Sequence, residues 1–110
     1  MEFSCGSAYL VRMDRNGIIA KLAALRPALR AEGVIHVALF GSQARGDARP
    51  DSDVDILIEI APERKFSILD LVGVEHMVQD ATGLTANAFM RRSLDDGFLK
   101  SISRDAVNVF

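Results

Sequence analysis

The segment "GSQARGDARPDSDVDILIEI", residues 41–60, opens on a Gly-Ser pair and places two aspartates two positions apart at the start of an apolar run. Polar and apolar residues alternate from residue 53 onward, which predicts a β-strand. One face of that strand carries Asp53, Asp55, Leu57 and Glu59, and the other carries Val54, Ile56, Ile58 and Ile60. Same-face neighbours on a strand lie about 6.6 Å apart. Two like charges at that separation are costly in an apolar run, so the pattern predicts a positive partner beside them.

The residues just upstream predict another strand followed by a phosphate-binding turn. The stretch "VIHVALF", residues 34–40, is a nearly continuous apolar run, which is typical of a strand covered on both faces. His36 interrupts it, and a single histidine without a ligand-spaced partner favours a structural role. Gly41 allows a close approach of the backbone, and the N–H groups after it can cradle phosphate oxygens. The residues after Ser42 are predicted to open a short helix whose N-terminus attracts anions.

Helices are predicted on either side of these two strands. Before them, apolar residues recur at spacings of four, three and four: Ile18, Leu22, Leu25 and Leu29. Asp14 could cap this helix, Pro27 should kink or split it near Arg26, and Gly33 should end it. After the strands, residues 66–80 are predicted to form a helix that ends before Gly83. Its apolar side is expected to hold Phe66, Leu69, Val72, His76 and Met77.

The remaining elements complete a small layered fold. Residues 85–90, "TANAFM", are predicted to form a third strand, and Ser93 or Asp95 to begin a short helix. The closing "AVNVF" is expected to be an edge strand or a packed tail. Mixed helices and strands with short connections predict an α/β (α+β) fold, in which a small mixed β-sheet is flanked by helices.

Composition favours one soluble domain. A chain of 110 residues predicts a single domain, placed at residues 13–110, with residues 1–12 as a loose N-terminal extension. The net charge of −2 gives no basic excess, so direct nucleic-acid binding is not expected. The single cysteine, Cys5, fits a reducing cytoplasm. No apolar run approaches the roughly 18 residues of a membrane span, and the N-terminus lacks the features of a signal peptide.

The paired aspartates predict a site for a divalent cation. Two carboxylates on one strand face suit Mg²⁺, which prefers oxygen ligands and the company of phosphates. A bound cation would also remove the repulsion between Asp53 and Asp55. Arg45 and Arg49 add positive charge close by. Each fragment alone is weak evidence, but a Gly-Ser turn and an Asp-x-Asp strand joined by a polar loop are much more specific.

The segment "FGSQARGDARPDSDVDILIEI" resembles the signature of the minimal nucleotidyltransferases in the DNA polymerase β superfamily. The resemblance extends from about Met13 to Phe110 and includes "ERKFSILDLVGVEH" and "RRSL". Stand-alone domains of this type are MNT antitoxins, typically encoded beside a HEPN-domain toxin. The resemblance therefore implies the polymerase β-like nucleotidyltransferase fold and a role in such a toxin–antitoxin pair.

The resemblance also implies a reaction and its residues. Gly41 and Ser42, with Arg45, would bind the nucleotide, while Asp53 and Asp55 would be catalytic and would bind Mg²⁺. ATP would be the substrate, and its AMP would pass to a hydroxyl, a tyrosine in this family, of a cytoplasmic HEPN ribonuclease. Phosphoryl-type transfer depends mainly on positioning of the reacting groups and on neutralisation of the phosphate charge. Two metal ions can neutralise that charge.

One position departs from the family pattern. The family usually carries a third carboxylate on the next strand, and the matching position here is Asn87. An amide adds no negative charge and cannot accept a proton, so weaker metal binding and a slower reaction are expected. Glu59 lies about 13 Å beyond Asp55 along the strand, too far to replace it. Asp47 and Asp51 in the loop stay open as substitutes.

Two alternatives to an active adenylylating enzyme follow from this departure and from the length of the chain. The chain could be a weakened homologue that neutralises a HEPN toxin by binding alone. Transfer to a small molecule such as an aminoglycoside is a third interpretation. It is disfavoured because 110 residues leave little room for a separate substrate-recognition domain.

Overall fold

The computed structural model describes residues 15–46 and 52–110. Helices α1 (Arg15–Ala24) and α2 (Arg26–Ala31) precede strand β1 (Val34–Phe40), the short helix α3 (Ser42–Arg45) and strand β2 (Val54–Ile60). Helix α4 (Ile68–Thr82), strand β3 (Ala86–Met90), a 3₁₀ turn (Arg91–Ser93), helix α5 (Asp96–Ser103) and strand β4 (Val107–Asn108) follow. The predicted fold class, a small mixed β-sheet flanked by helices, is confirmed. The predicted extension at residues 1–12 and the Asp14 cap fall outside the described residues and stay predictions, as does the single domain at 13–110.

The sheet has the strand order β3-β2-β1-β4. Strand β1 pairs antiparallel with β2 and with β4, while β2 and β3 pair in parallel. A parallel pair needs a long crossover, and α4 supplies it. The end of β1 and the starts of β2 and β3 therefore meet at one edge of the sheet, where Phe40 lies opposite Asp55 and Asp55 lies opposite Asn87.

Apolar residues fill both sides of the central strands. Helices α1, α2 and α4 cover one side, and the core there includes Ile18, Leu22, Leu29, Val37, Leu39, Val54, Ile56, Ile58, Val74 and Val78. On the other side of the sheet, Ile102 of helix α5 packs with Phe40 and Leu57. The rings of Phe40 and Phe89 lie 5.5 Å apart, centroid to centroid. The alternation predicted for β2 is confirmed, whereas the two-sided covering predicted for β1 is confirmed only in part, because Ala38 is only partly buried and His36 is exposed. His36 is exposed, with Nδ1 3.3 Å from the backbone oxygen of Phe110, so it contributes a surface contact.

The N-terminal helical segment divides where the proline predicts. Helix α1 ends at Ala24 and α2 begins at Arg26, which puts Pro27 in the first turn of a helix, where its missing N–H costs little. Gly33 follows α2 with φ of +100°, a conformation that favours glycine. The split therefore bends the chain around the sheet and keeps Leu29 in the core.

Helix α4 exists where it was predicted, but the assignment of its buried face was only partly right: Phe66 and Met77 pack against the core, whereas His76 is exposed. Leu69 is 82% exposed and Val72 is 37% exposed, while the buried residues are Val74, Val78 and Thr82. The helix also begins two residues later than predicted, after Ser67. The side-chain oxygen of Ser67 accepts a hydrogen bond from Asp70 N at 3.3 Å, and the Asp70 carboxylate accepts one from Ser67 N at 2.8 Å. Apolar residues occur on two faces of this helix, so spacing alone did not select the one that packs on the sheet.

The structure of the C-terminal elements decides between the alternatives that the sequence left open. The third predicted strand is confirmed as β3. Asp95, rather than Ser93, begins α5, because its carboxylate accepts a hydrogen bond from Phe98 N at 2.7 Å. The closing residues form the edge strand β4, as one of the two alternatives predicted. Among the described helices, none combines the length and apolarity needed to cross a membrane.

The buried and exposed faces of α4 predict different losses of stability when a side chain is truncated to alanine. We expect Val78→Ala to lower the free energy of unfolding by about 1–3 kcal/mol, because it leaves a cavity in the core. Leu69→Ala should change it by less than about 0.5 kcal/mol, since that side chain is already in solvent. Urea denaturation of both variants checks this, and a larger loss for Leu69→Ala would contradict the face that the structure assigns.

Candidate active site

A tight turn joins β1 to the short helix α3 at the sheet edge. Gly41 begins it with φ of +77°, and its carbonyl accepts hydrogen bonds from Ala44 N and Arg45 N, each at 3.1 Å. Gly46, with φ of +80°, ends it, and its N–H donates to the Ser42 carbonyl at 3.0 Å. Both glycines hold a backbone conformation that other residues adopt only with strain. The short helix predicted after Ser42 is present.

The backbone of Gly41 lies directly against the carboxylate of Asp55. A Cβ atom built at Gly41 would lie 2.5 Å from Asp55 Oδ2, closer than any real contact of that kind. Any side chain at this position would displace the carboxylate. Glycine is therefore required here by the neighbouring acid as well as by the positive φ.

The two aspartates lie at the start of β2 on the same side of the sheet, and Asn87 joins them from β3. Asp53 is exposed and Asp55 is partly buried. The amide nitrogen of Asn87 donates to Asp53 Oδ2 at 3.1 Å and to Asp55 Oδ1 at 3.2 Å. The structure therefore brings together all three side chains that the sequence grouped as metal-binding positions.

The environment of Asp55 disfavours its charged form. Burial raises the pKa of the Asp55 carboxyl above its ordinary value, and the nearby charge of Asp53 acts in the same direction. The hydrogen bond from Asn87 and the positive charge of Arg45 lower that pKa but do not cancel the rise. Two neighbouring carboxylates, one of them partly desolvated, repel each other, and a positive charge beside them would relieve that repulsion.

The other predicted site residues lie at different distances from this pair. Arg45, on α3, affects Asp55 electrostatically, and its Nη1 lies 3.8 Å from Asp105 Oδ2. Ser42 is the first residue of α3 and is partly buried. Glu59 lies farther along β2 and lines a separate cavity of about 260 Å³ with His36, Arg91 and Asn108. Its rejection as the third acid therefore agrees with the structure. Asp47, Arg49 and Asp51 are outside the described residues.

Sequence reasoning missed two side chains that hold the site together. Gln43 is 4% exposed, and its Nε2 donates to the Ser52 carbonyl at 2.9 Å, which ties α3 to the residue before Asp53. The carboxylate of Glu75, on α4, accepts a hydrogen bond from Ala88 N at 2.8 Å, next to Asn87. Both side chains bind backbone groups that are distant in sequence, so no local pattern could have identified them.

The ligand set fits a hard cation that is bound together with a substrate. In residues 15–46 and 52–110, no group of three or more His, Cys, Asp or Glu side chains is placed to hold a metal. Two carboxylates and one amide offer oxygen donors only, and Mg²⁺ is commonly held by one or two carboxylates plus substrate phosphates. The turn beside them begins and ends on glycines of positive φ, and turns of this kind can present backbone N–H groups to a phosphate.

A mixed sheet that sets two strand carboxylates beside a glycine turn is typical of enzymes that transfer nucleotidyl groups. The model of the nucleotidyltransferase domain family matches residues 22–108, and this chain belongs to that family. The family resemblance inferred from the sequence is confirmed, and so is the expectation that the chain is of an enzyme family. The roles of the individual residues stay predictions.

Named relatives and solved structures agree with this assignment. The chain is 38% identical to protein adenylyltransferase MntA of Thermococcus cleftensis over 77 residues, which are 70% of this chain and 76% of the relative. A solved structure assigned as a minimal nucleotidyltransferase superposes with a TM-score of 0.73 at 28% identity, covering 86% of this chain and 95% of the other. The structure of an MNT antitoxin in complex with tri-AMPylated Shewanella oneidensis HEPN toxin superposes with a TM-score of 0.64 at 15% identity. The match covers 87% of this chain and 71% of the other, and at this identity it shows a likeness of fold alone.

The close approach at Gly41 predicts a difference between the two glycines of the turn, which both have positive φ but differ in ψ. Alanine at Gly46, whose conformation is left-handed αL, should cost about 1–2 kcal/mol of stability. Gly41→Ala should cost more, because its Cβ also displaces the Asp55 carboxylate, whereas a Cβ at Gly46 meets nothing within 4 Å. Urea denaturation, with NMR of the Asn87 side-chain amide, measures both effects. Equal losses with an unchanged amide resonance would contradict the proposed contact.

The raised pKa of Asp55 predicts that its charge destabilises the metal-free chain. A carboxyl that binds its proton more tightly in the folded state is destabilising when ionised, and the cost disappears as pH falls through the raised pKa. We therefore expect Asp55→Asn to raise the melting temperature at pH 7 in the presence of a chelator, with the gain shrinking in acid. Asp80→Asn, at an exposed position on α4, controls for loss of one negative charge. A gain that is the same at pH 4 and pH 7 would be inconsistent with this cause.

Proposed function

We propose that this chain transfers AMP from ATP, with Mg²⁺, to a tyrosine hydroxyl of a HEPN-domain toxin and thereby acts as its antitoxin. The observation that carries the proposal is the Asp53–Asp55 pair set against the backbone of Gly41. Support comes from the relative named protein adenylyltransferase. It comes also from the likeness of fold to an MNT antitoxin in complex with an AMPylated toxin. The partner is expected to be encoded next to this chain and to meet it in the cytoplasm.

Different residues at the sheet edge are proposed to bind the nucleotide and the metal ion. The backbone at Gly41 and the hydroxyl of Ser42 are proposed to hold the triphosphate, with the guanidinium of Arg45 offsetting its negative charge. Asp53 and Asp55 are proposed to hold Mg²⁺, and Asn87 can offer it a carbonyl oxygen. When bound, the cation neutralises phosphate charge and makes the α-phosphorus a better electrophile.

The reaction itself asks little covalent chemistry of the protein. The acceptor oxygen forms a bond to the α-phosphorus, and the bond from that phosphorus to pyrophosphate breaks, with the two oxygens held in line. The acceptor proton has to leave, and the neutral amide of Asn87 cannot take it. Proton acceptance therefore falls to a carboxylate of the pair or to water. This is the physical reason to expect a slower reaction than in a site with three acids.

A second candidate is an antitoxin that binds the toxin without modifying it. The observation that favours it is the neutral amide of Asn87, which hydrogen-bonds both carboxylates and adds no third negative charge to them. In that case nucleotide and metal would be dispensable, and neutralisation would depend on the protein interface alone. The two candidates differ in whether Asp53 is needed for the effect on the toxin.

Transfer of label decides between the two candidates. The chain would be incubated with α-labelled ATP, Mg²⁺ and the neighbouring HEPN-domain protein. We expect label on the partner, reduced by about 10²-fold or more in Asp53→Ala. Glu59→Ala is a matched control, since Glu59 lies on the same face of β2 but lines a different cavity. Tight complex formation without label, unchanged by Asp53→Ala, would favour the binding-only antitoxin.

Substitution of Asn87 in the same label-transfer assay tests the role of the missing third acid more directly. Asn87→Asp restores a third carboxylate beside Asp53 and Asp55, and we expect label transfer to increase. A general base contributes roughly 10²–10⁴-fold to such reactions, so a gain within that range is expected. No gain in a variant that folds and binds nucleotide normally would show that the missing acid does not limit the rate.

A further inference from the structure

The side-chain amide of Asn87 forms hydrogen bonds with both aspartates of the pair. Its nitrogen is 3.1 Å from Asp53 Oδ2 and 3.2 Å from Asp55 Oδ1. Carboxylates are acceptors only, so the amide has to present its N–H groups to them rather than its oxygen. One N–H group serves each carboxylate, and a neutral side chain thus relieves part of the repulsion within the pair.

The backbone around Asn87 keeps that amide in place. Asn87 lies opposite Asp55 in the parallel pairing of β2 and β3. On the outer side of β3, the Glu75 carboxylate accepts the Ala88 N–H at 2.8 Å and ties the strand to α4. The backbone at position 87 is held from both sides, so the side chain can turn but cannot withdraw without breaking the edge of the sheet.

This arrangement supplies negative charge for one cation. Two-metal sites hold their ions about 3.5–4 Å apart and share carboxylates between them. Within the described residues, no third His, Cys, Asp or Glu joins the pair. One Mg²⁺ is well served by two carboxylates and substrate phosphates. Among the described side chains, a second ion would find no carboxylate of its own, because the side chain beside the pair is the neutral amide of Asn87.

We propose that Asn87 restricts the Asp53–Asp55 pair to a single divalent cation, which enters together with the nucleotide. The amide serves in place of a second cation between the carboxylates, and it turns its oxygen toward the ion when the nucleotide complex binds. The inference rests on the proposed function, because it assumes that this pair receives a metal–nucleotide complex. Beyond the proposed function, it specifies how many metal ions the site binds and which residue determines that number.

The number of ions can be counted directly. The full chain would be equilibrated by dialysis with Mn²⁺ and a non-hydrolysable ATP analogue, and retained Mn²⁺ and nucleotide would be measured per chain. We expect one Mn²⁺ for each nucleotide in the wild-type chain and two in Asn87→Asp. Asn108→Asp, an exposed position on β4, adds the same charge away from the pair and should retain one. Mn²⁺ without nucleotide should be retained poorly by the wild-type chain.

Other outcomes separate this inference from the proposed function. Two Mn²⁺ per nucleotide in the wild-type chain, or only one in Asn87→Asp, would overturn the role of Asn87 while leaving nucleotide binding intact. Retention of neither Mn²⁺ nor nucleotide would overturn the proposed function and this inference together. If Asn87→Asp does not fold, NMR of the wild-type chain decides. The Asn87 side-chain amide resonances should shift with Mg²⁺ plus analogue, and unchanged resonances in the loaded chain would overturn the proposal.

Discussion

The site depends on the contact between the backbone of Gly41 and the carboxylate of Asp55. These residues belong to neighbouring antiparallel strands, and the register that sets Phe40 opposite Asp55 brings the turn after β1 against the acid on β2. Under the proposed function, a phosphate bound by the turn would then be adjacent to a cation bound by the acid. The contact has no room for a side chain, so the turn and the acidic strand cannot be altered independently.

The surrounding fold offsets the cost of placing two acids side by side. Helix α4 returns the chain to the same edge of the sheet, so that β3 can set Asn87 opposite Asp55. The buried amide of Gln43 fixes α3 to the chain just before Asp53, and Glu75 anchors the free edge of β3. These two contacts stabilise backbone, not charge. They keep the two acids and the Asn87 amide within hydrogen-bonding distance of one another.

The strands and the candidate acids could be predicted from the sequence because their signals are local. The apolar run of β1, the alternation of β2 and the split before Pro27 each follow from a few adjacent residues and are present as predicted. The buried face of α4 could not be read in the same way, because apolar side chains occur all around its first turns. The rotation of that helix is set by how Val74 and Val78 fit the sheet, which is a tertiary property. Gln43 and Glu75 were missed for the same reason, since their partners are backbone groups from other elements.

The amide at position 87 has opposite effects on the free carboxylates and on the cation that is proposed to bind them. Its hydrogen bond opposes the rise in the pKa of Asp55 and so favours the ionised form, yet under the proposal a cation has to turn that amide before it can use both acids. A carboxylate at the same position would have the reverse effect, since it would add repulsion when the site is empty and attraction when it is loaded. If Asn87 stands in for a third acid, as the resemblance predicts, the amide exchanges metal affinity for stability of the free chain. Under the proposed function, a chain that has to persist without ligand would gain from that exchange even if each transfer were slower.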